Sequence, residues 1–137
     1  MTTIQTQLNI ETSGRNTYNI THKIEHAIQE SGIETGLCHV FIHHTSASLI
    51  ITENADPDVR IDLEMLIQRM APDGDPEYKH TLEGIDDMSG HMRTILTATE
   101  LTIPKNNTIA ETPKIIKAFL FILIKFNKSL NSLKNFD

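Results

Sequence analysis

The sequence predicts an α+β fold with two or three helices in one domain. Three observations lead there. The chain has 137 residues, which suits a single domain able to bury roughly two thirds of its unfolded-chain surface without disulfides or a structural metal. Segments whose apolar residues alternate with period two lie beside segments with helical spacing. Strands and helices are mixed, without the strict βαβ alternation that a parallel sheet requires. No internal repeat is visible.

The elements follow in order. Ile4, Thr6, Leu8 and Ile10 alternate with Gln5, Gln7 and Asn9, so residues 2–10 read as a strand. Ser13-Gly14-Arg15 turns the chain, and a second strand begins over Thr17–Ile20. Thr21 to Ser31 reads as a short helix with Ile24, Ala27 and Ile28 inward and Gly32 closing its C-terminus. Residues 37–44 and 48–53 are two β-rich runs joined near Thr45-Ser46. Asp56 caps a helix that has Pro57 at its first position and Val59, Leu63, Leu66 and Met70 on one face. Pro72 to Pro76 ends it, and residues 73–87 form an acidic loop. A further helix spans Ser89 to Leu96, and a strand covers Leu101–Ile103.

The tail admits two readings. Ala118–Ile124 is an apolar run rich in β-branched and aromatic residues, as a buried strand would be. As a helix, Thr112 is the cap and Pro113 the first residue, with Phe119, Ile122, Phe126, Leu130 and Leu133 at spacings of three and four. Local rules favour the helix. The run is far shorter than the roughly 20 residues a membrane span needs, so no membrane partner is expected.

Charge narrows the partners. The chain carries 12 basic and 18 acidic side chains, a net charge of −6. Residues 111–137 hold five lysines against two acids, which leaves seven basic and sixteen acidic side chains in residues 1–110. An acidic body argues against nucleic acid, whose phosphates demand clustered Lys and Arg. It allows a divalent cation that brings a phosphorylated substrate to an acidic cleft. The single cysteine, Cys38, excludes a disulfide framework. With no basic n-region or apolar h-region in Met1–Ile10, the expectation is a cytoplasmic protein without a signal peptide.

Two stretches carry the chemistry. In Gly36 to Ser48, period two places His39, Phe41 and His43 on one strand face and Val40, Ile42 and His44 on the other. His44 leaves the strand with the apolar set and opens onto Thr45-Ser46, whose hydroxyls and backbone N–H groups suit a phosphate or oxyanion. Those hydroxyls equally suit the turn's own backbone. In His80 to Arg93, two imidazoles, His80 and His91, flank Glu83, Asp86 and Asp87. Imidazole suits zinc and carboxylate suits magnesium, although a solvated acidic loop needs no ligand. His22 and His26 have chelating spacing but read as surface residues. Glu53 adds a carboxylate near the first stretch, and Cys38 reads as a buried thiol.

Taken together, Gly36 to Leu49, Glu53 to Arg60, Asp62-Leu63-Glu64, His80, Glu83-Gly84, Asp86-Asp87-Met88, His91 and Leu101 to Pro104 resemble the YjbQ-like family. Its members are described as secondary thiamine-phosphate synthases. The resemblance covers residues 1–110 and implies a YjbQ-like α+β domain there, two packed, mostly antiparallel β-sheets with two or three helices, assembled as a homotrimer with sites near subunit contacts. Residues 111–137 form a divergent tail, in the same domain or as an appended helix. Carried over, the family's histidine-rich site falls on His44, His80 and His91, with Thr45, Ser46, Glu53, Asp86 and Asp87 nearby. The implied reaction joins a pyrimidine diphosphate to a thiazole phosphate. The expected roles are metal ligation by His44, His80, His91, Glu53, Asp86 and Asp87, phosphate binding by Thr45 and Ser46, and proton transfer by His44 or His91, with magnesium or zinc as the cation.

The chain departs from the family in two places. Ser89-Gly90 stands where the family has Pro-Ala or Pro-Ser, and the family's Gly-Thr-Trp-Gln-Gly segment is missing from a sequence with no tryptophan. A non-catalytic metal- or phosphate-binding trimer is therefore the alternative to a transferase.

Overall fold

The computed structural model describes residues 2–53 and 55–105, and the backbone of Phe121–Leu123. It contains β1 (Thr17–Asn19), α1 (Thr21–Glu30), β2 (Gly36–Phe41), β3 (Leu49–Ile50), α2 (Pro57–Met70), α3 (Asp87–Leu96), β4 (Glu100–Lys105) and β5 (Phe121–Leu123). Among the described residues two sheets form, one ordered β1-β5-β3 and the other β2-β4, and every pairing is antiparallel. The α+β architecture with two antiparallel sheets and three helices is thus the one the sequence and its resemblance predict.

The register explains the core. β2 and β4 pair from Gly36 with Lys105 to Phe41 with Glu100, and Ile42 N–H continues the ladder to the Thr99 carbonyl at 2.9 Å. Cys38, Val40 and Ile42 turn inward with Leu101 and Ile103, against Ile20, Ile24, Ala47 and Leu49. Leu37, His39 and Phe41 face outward, as the period-two reading requires. Burial pushes the Cys38 thiol above its usual pKa of 9.0, which makes it a packing group rather than a nucleophile.

The helix ends follow their local chemistry. The Asp56 carboxylate accepts from Asp58 N–H at 2.9 Å and Pro57 opens α2, as read from the sequence. Along α2 the inward residues are Val59, Leu63 and Ile67, whereas Leu66 and Met70 are each 48% exposed. Arg60 donates to the Thr17 carbonyl at 3.1 Å and ties that side of the helix to β1.

Two of the expected elements change type. Residues 2–10 form no strand, because alternation alone supplies no hydrogen-bond partner and no described segment completes a ladder beside them. At Phe121–Leu123 the backbone is β5, not helix: it lies between β1 and β3, with Tyr18 opposite Ile122 and Leu49 opposite Ile122. Pairing on both sides outweighs the local capping signals. The remainder of the expected tail helix, including Thr112 and Pro113, lies outside the described residues. No helix among the described residues is long and apolar enough to cross a membrane.

Candidate functional site

The chain after α2 folds into a closed loop. Gly74 N–H donates to the Ile85 carbonyl at 2.8 Å, so the two ends of the acidic segment meet. Gly74 at φ 68° and Gly84 at φ 118° make the reversals, in a region that side-chain-bearing residues avoid. Leu82 and Ile85 project from this loop, 98% and 76% exposed.

α3 begins at Asp87, two residues earlier than expected, and this shift builds the site. It places Asp87 and His91 one helical turn apart on the same face. His80 comes from the loop. Its Nε2 is 2.6 Å from Asp87 Oδ2, and His91 Nε2 is 3.4 Å from the same oxygen. The two rings lie 5.6 Å apart, tilted by 53°. One ligand atom from each of His80, Asp87 and His91 falls within 4.8 Å of the others, so the three could hold a metal ion. The Asp87 side chain is 3% exposed, whereas those of His80 and His91 are 43% and 34% exposed. A buried carboxylate thus sits beneath two imidazoles that remain open to solvent.

The turn after β2 closes one side. Thr45 O accepts from His91 Nδ1 at 2.9 Å. α3 approaches this turn closely at Gly90, where a Cβ would lie 3.1 Å from Ser46 Cβ. Ser46 is buried, and its N–H donates to His44 Nδ1 at 3.0 Å, with its hydroxyl 3.2 Å from the same nitrogen. Thr45 is exposed.

The other candidates are placed differently. His44, next in sequence to Thr45, lies outside the three-residue ligand group. Asp86 is the N-cap residue of α3, and its carbonyl accepts from Ser89 Oγ at 3.0 Å and from Gly90 N–H at 3.0 Å. Glu53 is exposed beyond β3, and neither it nor Asp86 belongs to the ligand group. His22 and His26 are exposed on α1, beside Glu25 at 3.1 Å and Glu30 at 3.6 Å.

Sequence reasoning missed the frame behind the site. Arg93 is buried and donates to the Ala71 carbonyl at 2.7 Å and to Asp73 Oδ1 at 2.6 Å. Ser89 Oγ donates to the same Asp73 oxygen, and Arg15 lies 3.4 Å from its other oxygen. These bonds fasten the start of the loop to α3. Tyr78 packs near them with a buried, unpartnered hydroxyl. Burial, with the charges of Asp75 and Asp73, pushes its pKa above the usual 10.0, against a downward pull from Arg93. Ser89 and Arg93 stand four apart, the one signal that they share a helix face.

Fold and site together define a small α+β protein with a His80-Asp87-His91 group at a loop-helix junction that could hold a metal ion. A sequence model described as UPF0047 protein YjbQ-like matches residues 6–112, and the chain belongs to this family. It is 50% identical over 95 residues to UPF0047 protein sll1880 of Synechocystis, covering 69% of this chain and 65% of that one. It is 43% identical over 72 residues to UPF0047 protein YjbQ of Escherichia coli O157:H7, covering 53% and 51%. The matches thus span between half and two thirds of these relatives' length. Among solved structures, an uncharacterized conserved protein of the YjbQ/UPF0047 family from Clostridium acetobutylicum superposes with a TM-score of 0.73 at 27% identity, covering 89% of this chain and 92% of that one. A hypothetical protein from Aeropyrum pernix K1 shares the fold with a TM-score of 0.75 at 22% identity, covering 89% of each.

Proposed function

We propose that the chain binds a divalent metal through His80, Asp87 and His91 and acts there on a phosphorylated substrate, as a transferase of the thiamine-phosphate synthase type. The observation that carries this reading is the convergence of three ligand atoms within 4.8 Å, drawn from a loop and a helix. Two imidazoles and one carboxylate suit zinc better than magnesium, which prefers oxygen ligands and keeps its waters. Three protein ligands leave a position open to water or substrate, the pattern of catalytic rather than structural zinc. The Thr45 carbonyl supports it further: a ligating histidine usually donates its second N–H to such a group, which fixes the tautomer and aims the other nitrogen.

When bound, the cation would supply positive charge beside a leaving diphosphate. The exposed Thr45 hydroxyl and the neighbouring imidazoles would orient phosphate oxygens, and Asp87 would hold its two imidazole partners in register. The reaction transfers a pyrimidine unit from its diphosphate to a thiazole phosphate, and pyrophosphate leaves. The test is elemental analysis of the purified chain, then a synthase assay with and without chelator. Turnover that needs the metal and is lost in His91→Ala supports the reading, and turnover indifferent to both overturns it. Bound metal without turnover favours the second reading, a non-catalytic metal- or phosphate-binding trimer whose site lacks its C-terminal half. The missing Trp-Gln segment favours that reading.

We also propose a cytoplasmic homotrimer. The exposed Leu37 and Phe41 on the outer face of β2, at 75% and 58%, and Leu82 beside the site supply apolar surface for association. Light scattering coupled to gel filtration checks the assembly, and a monomer at micromolar concentration would exclude it.

A further inference from the structure

α1 carries a pair of imidazoles that the loop-helix group does not use. Ile24 is buried and Ile28 packs against the same core, which fixes the inward side of the helix. Helical period turns His22 and His26 to the opposite side, four residues apart on one face. Their side chains are 92% and 70% exposed. His22 Nδ1 lies 3.1 Å from Glu25 Oε2, and His26 Nδ1 lies 3.6 Å from Glu30 Oε2. A carboxylate only accepts, so each one favours the proton on Nδ1 of its neutral imidazole and the lone pair on Nε2. Among the described residues neither ring makes a further polar contact.

We infer that His22 and His26 form a surface metal site of their own, in which the two Nε2 atoms chelate one nickel(II) or copper(II) ion. Histidines at i and i+4 of a helix present their rings to a common ion, as in the helical zinc motif H-E-x-x-H. Both rings stand in solvent, where rotamers exchange freely, so no packing holds them apart. A carboxylate against the nitrogen that does not ligate is the support that metal-binding histidines usually have. Charge agrees, since Glu25 and Glu30 outnumber Lys23, the one cationic residue of α1. Two nitrogen ligands, with the other positions open to water, suit ions high in the imidazole affinity order, copper(II) above nickel(II). Magnesium and calcium, which take oxygen ligands, are excluded by the same donor set. The site shares no ligand with the His80-Asp87-His91 group and does not rest on the reading of that group.

The test uses the full chain and nickel(II), which does not oxidise the Cys38 thiol. Calorimetric titration at neutral pH should show a binding event that weakens about 100-fold in His26→Ala, the scale on which two linked contacts exceed one. His91→Ala should keep that event. His26→Ala/Gln29→His retains two imidazoles on α1 but sets them about 10 Å apart along the axis, so it should bind as weakly as His26→Ala. In proton NMR of the wild type, the ring signals of His22 and His26 should shift or broaden together at the first additions of nickel. A titration unchanged in His26→Ala, or full affinity in His26→Ala/Gln29→His, would overturn the inference. A response from only one of the two rings would do the same.

Discussion

His80 Nε2 and Asp87 Oδ2 lie 2.6 Å apart, yet one belongs to a loop and the other to the first turn of α3. The contact exists only while the loop keeps its shape, so the candidate metal site reports on loop geometry as well as on ligand identity. Asp87 contributes the one carboxylate of the group and is nearly inaccessible. Asp87→Asn, which keeps the shape and removes the charge, should weaken zinc binding by more than the ~10–100-fold typical of outer-shell changes. Competition with a chromogenic chelator measures this, and unchanged circular dichroism shows that the fold survives.

Loop geometry can be perturbed without touching a ligand. Gly74 has φ 68°, and a Cβ there would make ordinary contact, 3.8 Å from Ile85 Cβ. The penalty for Gly74→Ala is therefore backbone strain alone, about 1–2 kcal/mol. Urea denaturation should show that loss. Because Gly74 N–H closes the loop onto Ile85, zinc affinity should fall in parallel; stability lost with zinc affinity intact would uncouple the loop from the site.

Arg93 sets the other anchor. Its guanidinium is buried and bonds both the Ala71 carbonyl and Asp73. Arg93→Ala removes those bonds and leaves Asp73 only partly compensated by Arg15 and Ser89. A loss of about 3 kcal/mol is expected, the low end for breaking a buried ion pair whose carboxylate keeps some solvent. Arg93→Lys should rescue part of that loss, since both bonds come from the single nitrogen Nη2 and an ammonium has three N–H groups to donate. Thermal unfolding ranks the three proteins.

These anchors also show what the sequence made legible. The face of β2 could be read because strand period is rigid, and Cys38 and Val40 do share the inward side, with Ile42 just beyond the strand. Asp56 could be read because a cap is a local device. Residues 2–10 could not, since a strand depends on a neighbour that alternation does not name. Asp87 reads as loop because Asp86-Asp87 looks solvated, and its i, i+4 relation to His91 appears only once the helix start is known. The bond between Arg93 and Asp73 joins residues 20 apart, and no periodicity marks it. An arginine in a last helical turn ordinarily faces water.

Tyr78 gives a pH dependence with a defined sign. Its hydroxyl is buried without a hydrogen-bond partner, and burial together with Asp75 raises its pKa above 10.0. The raised value means that the unfolded chain releases the phenolic proton first. Stability from this group is complete below the unfolded value near 10 and is lost as pH rises through the folded one. Tyr78→Phe should flatten the alkaline fall in denaturation midpoint. At neutral pH it should be neutral or stabilising by up to ~1 kcal/mol, because it removes an unpaired polar atom. A steeper alkaline fall in the variant would contradict this account.

The position of β5 makes the sharpest demand on the tail. In the order β1-β5-β3 it is the central strand, and Ile122 pairs with Tyr18 on one side and Leu49 on the other. Removing it leaves β1 and β3 as unjoined edges, so a chain ending at residue 110 should aggregate rather than fold. Ile122→Pro tests the same point within the full length. Proline has no N–H to donate to the ladder and is confined to edges and bulges, so its cost in a central strand should reach ~3 kcal/mol or more. Lys105→Pro, at the end of β4 where Gly36 is its partner, is the control for proline at a strand terminus and should cost far less. Denaturation midpoints of the two variants decide the matter: equal, small losses would mean that β5 does not join the sheet in solution.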